Sequence, residues 1–175
     1  VEGNLPLNGL TSITDEQAES LSKFVSLSLN GLTSINDQQA ESLSKIRDIN
    51  LSGLTSLTDK QAESLSKVKG HLTLSGLTSI NDQQAAFFSN GDYMSLQLDG
   101  LTSITNKQAE SLSKVELLSL SGLTSITDKQ AEILSKHGHF KLSGLTSLTS
   151  ITDRQSEMLS SYKYIDLSRL PNITD

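Results

Sequence analysis

The sequence predicts an α/β solenoid, a stack of short units with parallel β-strands on one face and short helices on the other. Three observations lead to this fold class. The string Gly-Leu-Thr-Ser recurs about every 22 residues, a period typical of solenoids. A short segment of alternating apolar and polar residues precedes each copy, as expected for a half-buried strand. A helix-capping pattern and about eight further residues follow it.

The repeats define the domain organisation. Copies begin at Gly9, Gly31, Gly53, Gly76, Gly100, Gly122 and Gly144, and a degenerate copy begins at Arg169. We therefore expect residues 1–175 to form a single solenoid of about eight units, the first and last partial. One unit buries too little apolar surface to offset the chain entropy lost on ordering it, so the units must stack on one another.

The strand of each unit is predicted from its alternation. Successive side chains of a strand point to opposite faces of the sheet, so every second residue faces the core. The predicted inward residues are Leu27 and Leu29, Ile49 and Leu51, Leu72 and Leu74, Leu96 and Leu98, Leu118 and Leu120, Phe140 and Leu142, and Ile165 and Leu167.

A glycine and a Thr-Ser corner follow each strand. Glycine is needed there either for a positive φ or because a neighbouring unit packs too close for a side chain. In the unit that contains Gly122, the spacing of Leu123 and Ile126 predicts that both point inward through the corner.

A capping box starts each helix, as in the segment Thr127-Asp128-Lys129-Gln130. The Thr side chain caps the N–H of Gln, and the Gln side chain caps the N–H of Thr. Ala131 and Leu134 are the predicted buried stripe, and Glu132 and Lys136 are a predicted outward ion pair. Equivalent boxes start at Thr14, Asn36, Thr58, Asn81, Thr105 and Thr152, and equivalent pairs are Glu19/Lys23, Glu41/Lys45, Glu63/Lys67 and Glu110/Lys114.

One complete unit carries a family resemblance. The run Leu118 to Asp128, LSLSGLTSITD, resembles the L-x-L-S-G-C-x-x-I-T-D repeat of the cysteine-containing subclass of leucine-rich-repeat proteins, with Leu123 at the Cys position. The resemblance covers nearly the whole chain and implies a right-handed solenoid that binds proteins. Because Leu replaces Cys or Asn, we expect the side-chain ladder of that position to be missing. The tandem units are also similar to bacterial repeat proteins.

Composition excludes several function classes. The formal net charge is −6, from 20 acidic and 14 basic residues, and without a basic run we expect no nucleic-acid binding. No apolar stretch approaches the length of a membrane span. The chain has no Cys, which excludes disulfides but leaves the compartment undetermined.

No catalytic pattern is present in the sequence. The only histidines are His71, His137 and His139, without an evident third metal ligand. No nucleophile elbow, catalytic triad or phosphate-binding loop occurs. We therefore expect a non-enzymatic protein that needs no cofactor or metal.

The outward strand positions differ among copies, whereas the helix sequence Gln-Ala-Glu-Ser-Leu-Ser-Lys hardly changes. This variation predicts a surface for a protein partner on the strand face, and relaxed drift on a solvated face is the alternative. Tyr164, Leu117 and His139 are the strongest candidate anchors. The candidate residues are Asp48, Asn50, His71, Thr73, Gln97, Leu117, His139, Lys141, Tyr164 and Asp166.

Two irregular segments interrupt the pattern. The segment 86–94, AFFSNGDYM, is either a bulged unit whose rings fill extra volume or a protrusion that contacts a partner. Leu148-Thr149-Ser150 duplicates the preceding Leu-Thr-Ser and is interpreted as a three-residue slip that forms a corner bulge.

A structural or surface-array spacer is the alternative function. In this alternative, rows of solvent-facing Thr and Ser at the corners act only through their regular spacing. Binding of ice or a polysaccharide by these rows is a minor variant. The ends, 1–7 and 171–175, lack an obvious polar cap. We therefore expect a fragment of a longer array, or ends that associate with another molecule, including end-to-end self-association. The Thr row comprises Thr11, Thr33, Thr55, Thr78, Thr102, Thr124 and Thr146.

Overall fold

A computed structural model describes residues 4–136, 141–143, 148 and 150–160 of the chain. In this part, short strands alternate with helices of seven or eight residues. The strands are Asn4–Pro6 (β1), Ser26–Ser28 (β2), Asp48–Asn50 (β3), His71–Thr73 (β4), Ser95–Gln97 (β5), Leu117–Ser119 (β6) and Lys141–Ser143 (β7). The helices are Asp15–Leu21 (α1), Asp37–Leu43 (α2), Asp59–Leu65 (α3), Asp82–Ser89 (α4), Asn106–Leu112 (α5), Asp128–Ser135 (α6) and Asp153–Leu159 (α7).

The strands form one parallel sheet in chain order, β1 to β7. Each strand pairs with the next one along the chain, so Leu27 lies opposite Ile49 and Leu72 lies opposite Leu96. Each helix likewise contacts the next helix. The α/β class and the parallel sheet are confirmed, and the arrangement is compatible with a solenoid-like repeat fold. We refer to each strand, corner and helix together as a coil.

The core runs through the stack between the strands and the helices. The predicted inward strand residues from Leu27 to Leu120 are at most 2% exposed, which confirms the alternation. Leu123 and Ile126 are also buried at the corner, as predicted. The predictions for Phe140, Leu142, Ile165 and Leu167 concern side chains outside the described part of the chain.

The corner glycines are required by the close approach of the preceding coil. A Cβ on Gly31 would lie 2.5 Å from the carbonyl oxygens of Asn8 and Leu10, and a Cβ on Gly76 would collide with the carbonyl of Ser52. None of the glycines in the described residues needs a left-handed φ. Of the two reasons that the sequence left open, close packing is therefore the correct one. A Cβ on Gly9, in the first described coil, would have no other atom within 4 Å.

All seven described helices begin with the predicted capping box. In α6, the N–H of Thr127 donates to Oε1 of Gln130 at 2.8 Å, and the N–H of Gln130 donates to Oγ1 of Thr127 at 3.2 Å. Two backbone donors that a helix start leaves unpaired are thereby satisfied at each helix.

The capping Gln also joins neighbouring coils, which the sequence analysis missed. Nε2 of Gln61 donates to the carbonyl of Ile35 at 2.9 Å, while its Oε1 serves the capping box. One amide therefore closes its own helix and satisfies a backbone carbonyl of the coil before it. We call this row of bonds the glutamine ladder. It joins adjacent coils at the helix starts, whereas the Cys or Asn position of the leucine-rich-repeat motif, at Leu123, lies at the corner. The other members of the ladder are Gln39, Gln84, Gln108, Gln130 and Gln155.

A second ladder runs along the helix starts. Oγ1 of Thr58 donates to Asp37 at 3.3 Å, and Nδ2 of Asn81 donates to Asp59 at 2.7 Å. Five caps contact the carboxylate at the first helical position of the coil before them, namely Asn36, Thr58, Asn81, Thr105 and Thr152. Lys60 reaches the same Asp37 at 3.3 Å.

The predicted outward ion pairs are mostly not formed. Glu132 and Lys136 are 2.8 Å apart, but the pairs predicted at Glu19, Glu41, Glu63 and Glu110 form no ion pair within the described residues. That prediction is correct for one helix and wrong for the other four. The physical reason is that an exposed ion pair gains little over hydration of the separate charges.

The register of β7 differs from the predicted one. The predicted inward residues Phe140 and Leu142, matched to Leu118 and Leu120, imply that Lys141 lies opposite Ser119. The structure instead places Lys141 opposite Leu117 and Ser143 opposite Ser119. A shift of two residues keeps the alternation of a strand in phase with the sheet, so the sequence pattern does not distinguish the two registers. The corner residues 144–147 and 149 lie outside the described part of the chain, so the predicted corner bulge stays a prediction. Leu148 is nonetheless buried.

Candidate binding surface on the strand face

The outward residues of β2 to β6 form the strand face. Parallel pairing brings six of the predicted site residues onto this surface, because the strands follow one another in chain order. Asn50 lies opposite Thr73, and Thr73 lies opposite Gln97. The six residues are Asp48, Asn50, His71, Thr73, Gln97 and Leu117.

The remaining predicted residues lie outside the described part of the chain, at least in their side chains. Lys141 is placed in β7 by its backbone alone, opposite Leu117. His139, Tyr164 and Asp166 belong to segments that the structure does not describe. Their roles as partner contacts stay predictions.

A shallow recess of about 180 Å³ crosses β2, β3 and β4 on this face. Its floor is the buried Leu27 and Ile49, and its walls are polar. The walls consist of Ser26, Ser28, Asp48, Asn50, His71 and Thr73. Four predicted site residues from two strands therefore share one concavity.

Asp48 is held at one side of this recess. Its Oδ1 accepts a hydrogen bond from the backbone N–H of His71 at 2.9 Å. The neighbouring Gly70 makes room for that carboxylate, since a Cβ there would collide with Oδ1 of Asp48 and lie 2.6 Å from the carbonyl of Arg47. Gly70 is an insertion in its coil, and its lack of a side chain leaves the space that the Asp48 carboxylate occupies.

The other wall residues are oriented by bonds between coils. Nδ1 of His71 lies 2.6 Å from Oγ of Ser95. Oγ1 of Thr73 donates to Oε1 of Gln97 at 3.3 Å. Each of these contacts joins side chains of adjacent strands, so the polar face is fixed by the register of the sheet.

Asp99 is a polar junction that the sequence analysis missed. It accepts hydrogen bonds from Oγ of Ser75 at 3.3 Å and from Oγ of Ser119 and the N–H of Ser121 at 2.5 and 3.0 Å. Burial raises the pKa of Asp99, but the bonds from Ser119, Ser121 and Ser75 lower it by more, so the pKa lies below its ordinary value. The sequence did contain a signal for this junction. Asp99 is the residue before the corner glycine, and the other copies from Asn30 to Ser143 have Asn or Ser at that position.

The irregular segment 86–94 fills volume and also borders the strand face. Phe88 is fully buried and Tyr93 is 7% exposed, which confirms the prediction that its rings pack into the coil. Within the described residues, the Tyr93 hydroxyl has no hydrogen-bond partner, and burial raises the pKa of this group. Met94, in contrast, is 48% exposed. It lines a second cavity together with Lys69, Asp92, Glu116 and Leu117.

Arg47 spans from its own coil to Met94. Its Nη2 donates to Sδ of Met94 at 3.3 Å, although the two residues belong to coils that flank the one containing Gly70. Because Gly70 has no side chain, the guanidinium can cross that coil. The positive charge of Arg47 is therefore directed towards Met94 at the N-terminal ends of the strands.

The described residues contain no group of three or more His, Asp or Glu side chains arranged to hold a metal ion. None of the described helices is long and apolar enough to cross a membrane. No family model matches this sequence, and no curated protein matches it.

Proposed function

We propose that this chain is a non-enzymatic protein-binding module of the leucine-rich-repeat type, which contacts its partner through the strand face. The repeat motif from Leu118 to Asp128 and the parallel sheet support the family assignment. A right-handed path of the chain is also proposed, because crossover connections between parallel strands of one sheet are right-handed in nearly all proteins.

The recess across β2, β3 and β4 is the observation that carries the proposal. It lies on the one face where the copies differ in sequence, and four of the residues that differ, Asp48, Asn50, His71 and Thr73, line it. The helices, in contrast, repeat almost the same residues. A concave, polar surface with fixed side chains is suited to a non-obligate partner, whose interface is about as polar as an ordinary protein surface.

Apolar groups beside the recess support contact with a protein. Val25 is 43% exposed and Met94 is 48% exposed, both just before their strands. Leu117, an outward residue of β6, is half-buried and lines a cavity together with Met94. Such side chains can supply apolar contacts next to the polar recess when a partner excludes water from them.

A strand-face variant tests the proposal. We would replace Asp48, Asn50, His71 and Thr73 by Ser, which copies the coil of β2, where Ser26 and Ser28 occupy these columns. The chain itself therefore indicates that the variant folds. The immobilised chain and the variant are compared for the proteins that they retain from an extract of the source cells, measured by quantitative mass spectrometry.

A helix-face variant provides the matched control. Glu41, Lys45, Glu63 and Lys67 are exposed and are also replaced by Ser. We expect proteins retained by the unmodified chain to decrease at least about tenfold with the strand-face variant, a loss of about 1.4 kcal/mol in binding, and to persist with the helix-face control. Equal retention by both variants would contradict the proposal.

A structural array is the second candidate, and one observation favours it. The Thr and Ser of every described corner from Thr11 to Ser125 are exposed and form two rows. Strand spacing places successive hydroxyls of a row about 4.8 Å apart. If the rows bind ice, the chain will show thermal hysteresis, and Thr55→Tyr with Thr78→Tyr will abolish it. A chain without thermal hysteresis excludes this variant.

A further inference from the structure

The recess contains a carboxylate oxygen without a partner. Oδ1 of Asp48 is engaged by His71, but Oδ2 makes no hydrogen bond or ion pair to any residue that the structure describes. We infer that the recess binds a cationic side chain, lysine or arginine, of the partner protein through Asp48. This inference rests on the proposed function and specifies the chemical group of the partner that is recognised.

The position of Asp48 is fixed before any ligand binds. The hydrogen bond from His71 holds one oxygen, and the missing side chain of Gly70 leaves the space that the carboxylate occupies. A group that is already oriented loses little conformational entropy on binding. The site is therefore built by the coil insertion at Gly70 and not only by an acidic residue on a surface.

The charge of the recess favours a cation. Its walls contain one carboxylate and no Lys or Arg. The nearest guanidinium in sequence, that of Arg47, is directed away to Met94 at 3.3 Å. A phosphate or a carboxylate of a partner would meet the charge of Asp48, and the whole chain carries a net charge of −6. Electrostatic complementarity therefore selects a positively charged group.

The size and the lining of the recess fit one long side chain. A volume of about 180 Å³ admits a lysine or arginine side chain but no element of secondary structure. The hydroxyl oxygens of Ser28 and Thr73 in the walls provide neutral acceptors around the carboxylate. A hydrogen bond from a charged donor to a carboxylate is shorter and stronger than a neutral one.

Titration of the full chain with short peptides tests the inference. The probes are acetyl-Gly-Ser-X-Ser-Gly-amide with X as lysine, arginine, norleucine or glutamate, and the readout is the backbone amide spectrum of the ¹⁵N-labelled chain at low salt. We expect the lysine and arginine peptides to shift the amides of β2, β3 and β4 in a saturable, salt-sensitive way. Norleucine and glutamate peptides should leave these amides unchanged.

Two charge-matched variants make the test specific. Asp48→Asn keeps an acceptor for the N–H of His71 and removes the charge, so we expect it to weaken binding of the lysine peptide at least about fivefold. Asp59→Asn changes the net charge equally at the first position of α3, where Asn106 already occupies the equivalent position of α5. Asp59→Asn should bind the lysine peptide as the unmodified chain does.

The outcomes separate the inference from the proposed function. Equal shifts with norleucine, unchanged affinity in Asp48→Asn, or shifts outside the recess would overturn the cation site. If the strand-face variant loses its partner but Asp48→Asn retains it fully, the inference fails and the proposed function stands. If the lysine peptide binds the recess but the partner tolerates the strand-face variant, the proposed function fails instead.

Discussion

At the scale of single residues, the recurrence of glycine at the described corners has a steric cause. The carbonyls of the preceding coil occupy the space where a Cβ would be, as at Gly31 and Gly76. The first described coil has no such neighbour in the structure, and Gly9 is open. The chain thus contains the same residue in a crowded and in an open environment.

This contrast predicts different costs for one substitution. Gly76→Ala should lower the free energy of unfolding by about 1–3 kcal/mol, as overpacked sites do, because the Ser52 carbonyl must move. Gly9→Ala should change it by less than about 0.5 kcal/mol. Urea unfolding followed by circular dichroism measures both. Equal effects of the two variants would contradict the steric explanation.

The pKa of Asp99 predicts a pH dependence. Because the folded pKa lies below the ordinary value of 3.8, the carboxylate stabilises the fold above that value, and the contribution is lost as the pH falls through the folded pKa. We expect Asp99→Asn to be less stable than the unmodified chain at pH 6. The difference should shrink below about pH 4, as measured by urea unfolding from pH 2 to 6. A difference that is independent of pH would contradict the assignment.

At the scale of elements, each helix start is tied to the coil before it. The capping Gln uses its oxygen within the helix and its nitrogen between coils, as Gln61 does towards Thr58 and Ile35. Gln17, in α1, makes only the capping bonds among the residues that the structure describes, and it is exposed. Local capping and stacking are therefore separable in this chain.

Truncation of the two glutamines should separate the contributions. Gln61→Ala leaves the N–H of Thr58 and the buried carbonyl of Ile35 without their side-chain partner, and we expect a loss of about 2–3 kcal/mol. Gln17→Ala removes a cap alone and should cost about 1 kcal/mol or less. Unfolding free energies in urea provide the comparison. Similar losses in both variants would show that the bond between coils contributes nothing.

At the scale of the whole molecule, strands and helices are paired with their neighbours along the chain, and the bond from Arg47 to Met94 is a side-chain contact that crosses one coil. Every described strand pairs with the next strand, and every described helix contacts the next helix. The stability of such a stack is approximately a sum of terms for each unit and its neighbours. Length can therefore change by whole coils without altering the remaining contacts.

Deletion of one complete coil should accordingly be tolerated. Removal of 31–52 joins Asn30 to Gly53 and preserves the repeat, so we expect a folded chain with the same circular dichroism per residue. Its urea m-value should be lower, in proportion to the smaller surface exposed on unfolding. Removal of 31–41 instead joins unlike parts of a coil, and that control should unfold. A disordered 31–52 deletion would contradict the nearest-neighbour description.

The sequence by itself determined the content of each coil. The alternation around Leu118, the corner at Leu123 and the capping box at Thr127 are patterns within a few residues, and the structure has all three where they were predicted. Local periodicity and capping act over one or two turns of chain, so a single sequence is enough to identify them. Six of the ten predicted site residues likewise share the strand face.

Only the tertiary structure determined the features that depend on contacts between adjacent coils. It determined why glycine occupies the corner, which carbonyl receives Nε2 of each capping Gln, and which residues converge on Asp99. It also selected between two registers of β7 that the alternation leaves equivalent. The Asp48 carboxylate in the wall of the recess occupies space that a side chain on Gly70 of the following coil would fill. Stacking brings residues more than 20 positions apart into contact, and a local sequence pattern contains no information on the register between neighbouring coils.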